Sequence, residues 1–506
     1  MYNLKQTNNK ILIIVGLIIG IIFAELDETV VSTALPTIVR DLGGLSMYGW
    51  VAGIYMLTMT SFMPITGKLG DLYGRRFIYT ICISLFILGS LISGFSTSMF
   101  TLLLGRGIQG IGASGLIPLA MAIVGEALTL KERTKIQGIF GAMMLIPQLI
   151  GPLIGGYLTQ HISWHWIFWI NIPVGITAVS FLYVGLREES RRDKQVNIDW
   201  TGAFLLVGSL LSLLITPVLH QNEGYAWFSP TIIGLWTLGS VLLISFVVTE
   251  SKAKEPILPI YLFKNRTFVV LSLIVFTMMI SVMGAFSSFP FFAQNVFDLT
   301  PIKSGYIILP LMVGSILSSV ITAQLVTKVP YRYVFAVSLL MPVIGFYLMT
   351  SIGVHTNLIL IIIYFIVIGL GFGVVLNNNL IVQESTPKED SGIALSSIAL
   401  FQSIGMTIGL SIYGSLLASK ITLGISGIGG NLPSRSEGAF RQAAIGGIPE
   451  GLAGNAVEQL KSVYVYAFQH LYWVSLLLSL VVLFFCWFLK NEVLTSKGKE
   501  VQSPEI

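Results

Sequence analysis

Long apolar segments, separated by short polar ones, run through almost the whole sequence. A helix needs about 20 apolar residues to cross a bilayer core of about 30 Å. Fourteen segments meet this need, and they lie near 11–34, 48–67, 77–95, 100–126, 136–159, 165–186, 199–219, 229–249, 268–292, 302–326, 333–352, 357–380, 392–419 and 464–489. The pattern predicts an all-α polytopic membrane protein with fourteen transmembrane helices.

Lysine and arginine residues are concentrated in every second polar segment. One set of segments contains clusters such as Lys68–Arg76, Lys131–Lys135 and Arg187–Lys194. The short segments of the other set hold Arg40 and Lys303. Cytoplasmic loops carry the excess of positive charge in membrane proteins, so the clusters are predicted to be cytoplasmic. With an even number of helices, both termini are then expected in the cytoplasm.

The composition excludes several classes of protein. Of the 506 residues, 54% are apolar and 10% are charged, whereas a soluble protein has about 25% charged residues. A disordered chain would also be far more polar. The net charge of +5 follows from the loop distribution of Lys and Arg and therefore does not indicate a nucleic-acid partner.

The sequence predicts no enzyme, metal site or bound cofactor. Cys82 and Cys486 lie in apolar segments and offer neither a disulfide framework nor a metal-binding pattern. The five histidines lie at or near the ends of apolar segments, without metal-ligand spacing. A Walker loop is absent from the sequence, which argues against ATP as the source of energy.

Two charged segments divide the chain into three predicted parts. They span 187–197 and 250–266 and separate groups of six, two and six predicted helices. We therefore predict an N-terminal six-helix bundle at 1–190, an inserted helix pair at 191–260 and a C-terminal six-helix bundle at 261–506. Transporters are commonly built from repeated halves, with the site near the middle of the membrane between them.

One predicted extracellular loop, residues 420–463, is unusually long and rich in Gly, Ser and Pro. Its basic residues do not contradict the topology, because long loops are translocated regardless of charge. Two alternatives remain open for this loop, a flexible linker and a folded hairpin. Glu437–Gln442 and Asn455–Leu460 are compatible with helix, so partial order is expected.

The segment between the second and third predicted helices has an ordered pattern of glycines and charges. The residues that define it are Gly67, Gly70, Asp71, Gly74, Arg75 and Arg76. Glycines permit a tight turn and a close approach of helices. Asp71 can accept hydrogen bonds from a helix N-terminus or pair with an arginine, for which Arg133 is the candidate. The segment could serve topology alone, but its order favours a role in gating.

This segment resembles the signature of the major facilitator superfamily between its second and third helices. Six further segments are similar to motifs of the fourteen-helix drug:proton antiporters in that superfamily, and these are Leu26–Pro36, Arg106–Gly110, Gly151–Gly156, Trp164–Phe168 with Asn171–Pro173, Asp199–Gly202 and Glu255–Pro259. The sequence departs from these relatives at His165 and Gln402, where many have arginine. It also lacks the acids that some carry in their tenth or thirteenth helix.

The resemblance implies the major facilitator fold, with two six-helix bundles and an inserted helix pair. It also implies a transporter driven by the proton gradient, with no bound cofactor. The expected location is a bacterial plasma membrane, which the chain would cross many times. We expect it to act as a monomer, with the lipid bilayer, protons and small hydrophobic or cationic substrates as its partners.

Two ionisable residues are predicted to meet inside the membrane. Asp27 lies 17 residues after Lys10, or roughly 25 Å along a helix, and Arg106 lies early in the fourth predicted helix, which runs inward. Both are therefore expected in the outer half of the membrane, where they can pair. An ionisable group inside a membrane is costly, so a role in proton coupling is the first hypothesis. A purely structural ion pair is the alternative.

Gly151, Pro152, Gly155 and Gly156 form a second candidate gating segment. Proline and glycine weaken a helix, and such breaks are tolerated in a membrane where neighbours satisfy the backbone. These residues are predicted to form a bend that is used in switching. Packing of small residues between helices is the alternative.

Several polar and aromatic residues are candidates for substrate binding, although each could instead pack or bridge helices. They are Glu25, Glu28, Trp50, Tyr55, Phe286, Gln294, Asn378 and Gln402. Aromatic rings can stack on a hydrophobic or cationic ligand. Glu25 and Glu28 share one helix face, and Asp27 points about 100° away from Glu28, so at most one of these faces is expected to line a cavity.

Three functions are compatible with these features. The first is a proton-coupled antiporter that exports hydrophobic or cationic drugs and antiseptics by alternating access. The second is an exporter of a lipid or a cell-envelope metabolite on the same fold. The third is a membrane sensor that does not transport, which leaves the gating segment without an explanation.

Overall fold

The computed structural model describes residues 7–42, 47, 50–185, 199–253, 256–258, 260–299, 301–387, 390–429 and 454–494. Within these ranges the regular elements are helices. In the first half they are α1 (Thr7–Leu42), α2 (Trp50–Tyr73), α3 (Arg75–Gly94), α4 (Met99–Ala113), α5 (Leu116–Ala127), α6 (Leu130–His161), α7 (Trp166–Trp169), α8 (Asn171–Gly185), α9 (Trp200–Glu223) and α10 (Pro230–Glu250).

The second half continues in the same way after a short 3₁₀ helix at Ile260–Lys264. Its helices are α11 (Arg266–Ser287), α12 (Phe289–Val296), α13 (Pro301–Tyr306), α14 (Leu309–Leu325), α15 (Tyr331–Met349), α16 (Leu358–Val375), α17 (Asn378–Ser385), α18 (Ser391–Gly429) and α19 (Gly454–Cys486). The all-helical fold is therefore confirmed.

A helix, or two consecutive helices, overlaps each of the fourteen predicted segments. By length and composition, ten helical segments of the described residues are able to cross a membrane. The protein is a multi-pass membrane protein on this basis, while the number of fourteen spans and the cytoplasmic termini stay predictions.

Five of the predicted segments each contain two helices, and proline explains the break in all of them except 357–380. In each of the other four the second helix has a proline in its first turn, at Pro118, Pro173, Pro290 and Pro310. Proline has no N–H to donate and its ring clashes with the preceding turn, so one helix ends and another begins. The breaks within these segments were not predicted from the sequence.

Polar caps fix the starts of several helices. Ser98 accepts a hydrogen bond from Thr101 N at the start of α4, and Asp199 accepts one from Gly202 N at the start of α9. At the start of α6, Thr129 and Glu132 form a reciprocal capping box. These side chains satisfy N–H groups that have no partner inside the helix.

The chain divides into two compact units. The first comprises residues 1–271, 378–401 and 494–506, and the second comprises 272–377 and 402–493. Thus α17 and the start of α18 group with the first half of the sequence. The three-part division at 1–190, 191–260 and 261–506 stays a prediction.

Helix α1 is central to the first unit and packs against α6 and α8. Its residues from Ile13 to Ala24 contribute to one apolar cluster, which includes buried side chains of α3 and α5. Its residues from Val30 to Ile38 contribute to another, which includes Trp164. The polar site described below lies between these two clusters along α1.

Helices extend into both ends of the predicted loop 420–463. Helix α18 continues to Gly429 and α19 begins at Gly454, so Asn455–Leu460 is helical as predicted. Glu437–Gln442 lies outside the described residues.

Candidate functional site

The Asp27 carboxylate lies inside the first unit and is 2% exposed. Its Oδ2 atom forms an ion pair with Arg106 Nη1. Its Oδ1 atom accepts hydrogen bonds from Asn171 Nδ2 at 2.7 Å and from Gln109 Nε2 at 3.2 Å. The pairing of Asp27 with Arg106 agrees with the depth predicted for both residues. Proton coupling by the pair stays a prediction.

Arg106 is 1% exposed, and its guanidinium group contacts several partners besides Asp27. Its Nε atom donates to Val51 O at 3.3 Å, and Nη1 also donates to Gln109 Oε1 at 3.0 Å. The guanidinium carbon lies 4.2 Å from the centre of the Tyr55 ring, which is a cation–π contact. Removing one partner of such a buried pair is strongly destabilising, by about 3–5 kcal/mol, because the other charge stays buried.

Ser90 joins this group from α3. Its Oγ atom accepts from Gln109 Nε2 at 2.7 Å and from Asn171 Nδ2 at 3.1 Å. We call Asp27, Ser90, Arg106, Gln109 and Asn171 the carboxylate network. It connects α1, α3, α4 and α8 between the two apolar clusters.

The sequence reasoning missed Ser90, Gln109 and Asn171. Gln109 and Asn171 both lie within segments that resemble family motifs, which was the available signal. A charged residue in a predicted span is distinctive because of its cost there, whereas a neutral amide does not differ in pattern from other polar residues.

Three of the substrate candidates lie near Asp27 in the structure. Glu25 and Glu28 are half-buried on α1 and take no part in the carboxylate network. Tyr55 is buried beneath the Arg106 guanidinium, and its hydroxyl donates to Ala24 O at 3.5 Å. The structure therefore places Tyr55 beside the ion pair, where a packing role competes with substrate binding.

The remaining substrate candidates are divided between the two units. In the first unit, Trp50 is half-buried at the start of α2, and Asn378 is 1% exposed with neither amide atom bonded to a described residue. In the second unit, Phe286 is buried with its ring 4.7 Å from that of Phe365. Gln294 Nε2 donates to Ser304 Oγ at 3.0 Å. Gln402 is half-buried in α18 of the same unit. Their roles in substrate binding stay predictions.

A second polar cluster surrounds Asp71 at the end of α2. Asp71 Oδ1 accepts from Arg75 Nη2 at 2.8 Å and from Gly392 N at 3.1 Å, and Oδ2 accepts from Ile393 N at 2.8 Å. These two N–H groups belong to the first turn of α18. A carboxylate is favoured at a helix N-terminus by the free N–H groups and the helix dipole.

Arg75 extends this cluster in several directions. Its Nη1 atom lies 2.9 Å from Glu126 Oε1 and donates to Ala122 O at 2.9 Å, and Nη2 donates to Ser391 Oγ at 2.8 Å. We call Asp71, Arg75, Glu126 and Ser391, with the N–H groups of Gly392 and Ile393, the turn network. It holds the α2–α3 turn to α5 and to the start of α18.

The expected pairing of Arg133 with Asp71 is wrong. Arg133 forms an ion pair with Glu384 on α17, and its Nη1 atom donates to Gln383 Oε1 at 2.7 Å. Arg75 follows Asp71 by four residues, and it forms the ion pair with the Asp71 carboxylate in place of Arg133. Arg133 therefore ties α6 to α17 as a separate contact.

The three glycines of the α2–α3 segment have distinct reasons to be glycine. Gly74 has a φ angle of 100°, which other residues rarely adopt. A Cβ atom on Gly67 would lie 2.9 Å from Gly392 O, and a Cβ on Gly70 would overlap Leu119. The last residue of the segment, Arg76, places its guanidinium carbon 3.8 Å from the centre of the Tyr183 ring.

The Gly151–Gly156 segment lies within a single helix, α6, which packs along α1. A Cβ on Gly151 would overlap Thr29, and a Cβ on Gly155 would lie 2.8 Å from Val30 O. Pro152 lies between them in the helix. A Cβ on Gly156 would meet no atom of the described residues within 4 Å. This spacing is the small-xxx-small packing of membrane helices, and a gating bend stays a prediction.

Replacement of Gly155 by alanine is expected to lower both thermal stability and transport, whereas Gly156→Ala is expected to resemble the wild type. The added methyl group at position 155 must push α6 from α1, and overpacking of this kind costs about 1–3 kcal/mol. The unfolding temperature of each purified variant, measured in the same detergent, tests the difference. Equal stability of the two variants would contradict this packing.

The segment before α8 is aromatic. Trp164 is buried and its Nε1 atom donates to Asp41 Oδ2 at 3.1 Å. The His165 ring stacks on Trp164 with 3.7 Å between ring centres. Among the described residues, no group of three His, Cys, Asp or Glu side chains is arranged to hold a metal ion.

Comparison with known proteins gives consistent results. The family model of the Major Facilitator Superfamily matches residues 17–410. Multidrug transporter protein MdtP of Bacillus subtilis (strain 168) is 37% identical, over 98% of this chain and 96% of its own. Multidrug resistance protein 3 of the same organism is 32% identical, over 92% of each chain.

Solved structures also match. The proton:xylose symporter XylE, bound to 6-bromo-6-deoxy-D-glucose, matches with a TM-score of 0.59 and 12% identity, over 95% of this chain and 96% of its own. The human organic anion transporter MFSD10 matches with a TM-score of 0.58 and 13% identity, over 93% and 99%. At this identity the two structures support the fold alone.

Proposed function

The chain belongs to the major facilitator superfamily, and from this we infer that it is a proton-coupled antiporter that exports hydrophobic or cationic drugs and antiseptics by alternating access. Membership makes it a membrane transporter and not an enzyme. The names of two relatives, matched over 96% and 92% of their lengths, support drugs as the substrate class. The observation that carries the proton coupling is the buried ion pair of Asp27 and Arg106.

We propose that Asp27 carries the exchanged proton. A carboxylate in an apolar interior is favoured while donors surround it, and here Arg106, Gln109 and Asn171 all donate to it. Proton uptake from one side of the membrane neutralises Asp27 and weakens its attraction to Arg106. Release to the other side restores the pair, so the proton is carried down its gradient as access alternates.

The turn network is proposed to act as the gate on the cytoplasmic side. It joins the α2–α3 turn to the start of α18, and Arg133 joins α6 to α17. A path toward the cytoplasm requires these contacts to separate. Because each contact is a charge-assisted hydrogen bond, the closed arrangement is stable until another event outweighs it.

The finer features of the proposal follow the same reasoning. We propose fourteen spans with both termini in the cytoplasm, as in the drug:proton antiporters, and a bacterial plasma membrane as the location. The protein would work as a monomer without a bound cofactor. With one carboxylate in the network, we propose one proton per substrate. At that ratio, export of a neutral substrate moves one net positive charge inward, and the membrane potential contributes about 2.3 kcal/mol of driving free energy per 100 mV. Export of a monovalent cation moves no net charge, so only the pH difference drives it.

Ethidium transport in vesicles tests the proposal. An imposed pH gradient, acidic on the side to which dye is exported, is expected to drive dye against its concentration gradient, and a protonophore is expected to stop it. Empty vesicles are the control for passive binding of dye. Dye movement that is unaffected by the gradient would contradict proton coupling. Protection of the purified protein by lipids but not by dyes would instead favour a lipid or cell-envelope substrate.

A further inference from the structure

Asn171 is the first residue of α8 and directly follows the break between α7 and α8. The break places this side chain inside the helix bundle, where it is 4% exposed. Pro173, two residues later, lies in the first turn of α8, where no N–H group is required. The local sequence therefore starts a new helix with an amide that points at the carboxylate network.

The Asn171 side chain connects two helices through one nitrogen atom. Its Nδ2 atom donates to Asp27 Oδ1 at 2.7 Å and to Ser90 Oγ at 3.1 Å. Among the hydrogen bonds that the structure describes, none has Asn171 Oδ1 as acceptor. One end of the amide is thus fully engaged with the ionised form of Asp27, while the other end retains its accepting capacity.

The three donors to Asp27 differ in what they can do when this residue takes up a proton. A protonated carboxyl group needs an acceptor for its O–H, and the Arg106 guanidinium has donors only. Gln109 has an acceptor, Oε1, but this atom already accepts from Arg106 Nη1 at 3.0 Å. Turning the Gln109 amide would break that bond and bring an N–H group toward a cation.

Asn171 does not have this conflict. Rotation by 180° about the Cβ–Cγ bond of Asn171 exchanges the positions of Oδ1 and Nδ2. The barrier to this rotation is low, because the bond joins an sp³ carbon to an sp² carbon. Oδ1 can then accept from the Asp27 O–H group. The Ser90 hydroxyl, which both donates and accepts, can reverse its own bond to Asn171, so the link between α3 and α8 is retained.

We propose that Asn171 is a positioning residue for proton exchange, which presents Nδ2 to the Asp27 carboxylate and Oδ1 to the protonated acid. This inference rests on the proposed function, in which Asp27 carries the proton. Asn171 itself exchanges no proton. Its amide gives Asp27 a hydrogen-bond partner in each protonation state.

Replacing Asn171 removes no titratable or charged group from the surroundings of Asp27. In the part of the chain that the structure describes, the titratable and charged groups that act on this carboxylate are Glu28 on α1, Tyr55 on α2 and Arg106 on α4. Glu25 lies one turn from Glu28 on α1. The residues contributed by α3 and α8 to the network do not titrate. A change in pH dependence on replacing Asn171 is therefore attributable to the amide.

The test is the pH dependence of gradient-driven ethidium transport in vesicles. Asn171→Ala removes a hydrogen bond from both states, but the lost bond to the ionised carboxylate is the stronger of the two. We expect the pH midpoint of transport to rise by about 0.5–1 pH unit, together with a several-fold lower maximal rate. Asn171→Ser retains a hydroxyl that donates and accepts, so its midpoint is expected to lie closer to the wild type.

Asn377→Ala is the matched control. Asn377 is also a buried asparagine, and its Nδ2 atom donates to Ser319 O at 3.1 Å and to Thr322, outside the carboxylate network. This variant is expected to lose stability through packing without a route to the Asp27 proton, and its pH midpoint is expected to match the wild type. Wild-type midpoints in both Asn171 variants would overturn the inference.

Infrared difference spectra between acid and neutral pH separate this inference from the proposed function. The carboxylic acid band of Asp27, assigned by its absence in Asp27→Asn, is expected to shift in Asn171→Ala because the O–H group loses its acceptor. An unshifted band would overturn the role of Asn171. If wild-type vesicles show no gradient-driven transport, the proposed function fails, while the band shift still decides whether Asn171 accepts from protonated Asp27.

Discussion

Asp27→Asn is expected to abolish gradient-driven transport of ethidium, lowering its initial rate by roughly 100-fold or more, since an amide cannot take up and release the proton. The variant also leaves Arg106 without a counter-charge, at 1% exposure, so its thermal stability is expected to fall. A loss of transport by itself would therefore not separate coupling from folding.

The double variant Asp27→Asn with Arg106→Gln makes this separation. Removing both charges removes the unpaired buried cation, and replacing a buried pair by neutral groups is often close to neutral for stability. We expect stability to recover while gradient-driven transport does not. Recovery of transport together with stability would show that the ion pair only holds α1 and α4 together. Asp41→Asn, on the same helix, is the control, since Asp41 binds Trp164 outside the carboxylate network.

Asp71→Asn is expected to open the turn network. The neutral amide loses the ion pair with Arg75 and part of its attraction to the two N–H groups of α18, which together amount to about 1.4–2.8 kcal/mol. The equilibrium should then move tenfold to a hundredfold toward the state in which these contacts are separated.

Labelling of a cysteine at position 396 measures this shift. Ser396 is fully buried beside Gly67, so Ser396→Cys becomes reactive when the start of α18 leaves α2. In a background without Cys82 and Cys486, we expect Asp71→Asn to raise the maleimide labelling rate tenfold to a hundredfold. Glu126→Gln should act much less, because the Glu126 side chain is 24% exposed and solvent screens its pair with Arg75. Equal labelling rates of the cysteine in all variants would contradict a role of Asp71 in holding the turn network together.

The sequence was sufficient to predict the helical segments and the Asp27–Arg106 pair. Both predictions depend on strong physical constraints, which are the apolar length needed to span a bilayer and the free-energy cost of a charge inside it. The helix breaks escaped prediction because a proline after a break and a proline within a continuous helix have the same local sequence. Pro173 illustrates this, since its position near Asn171 indicates a helix start only once the break between α7 and α8 is known.

Partners that are distant in sequence were the least predictable. Arg133 was assigned to Asp71 because both lie in predicted cytoplasmic segments, yet charge and depth do not reveal which helix faces which. Glu384 and Ser391 had no signal beyond their polarity, and the structure places them against Arg133 and Arg75. Similarly, glycine spacing left close packing at Gly151 and Gly155 as the alternative to a gating bend. It could not tell these residues from Gly156, where a Cβ would meet no atom of the described residues within 4 Å.

The turn network also has a consequence for synthesis of the protein. Asp71 accepts from backbone groups that lie 321 and 322 residues later in the chain, and Arg133 binds residues 250 and 251 later. At a translation rate of about 5–20 residues per second, Asp71 waits about 15–60 s for its α18 partners to leave the ribosome. During that interval the newly inserted first half holds a charged turn whose binding site does not yet exist. The order of translation thus makes docking of α17 and α18 a late step in biogenesis.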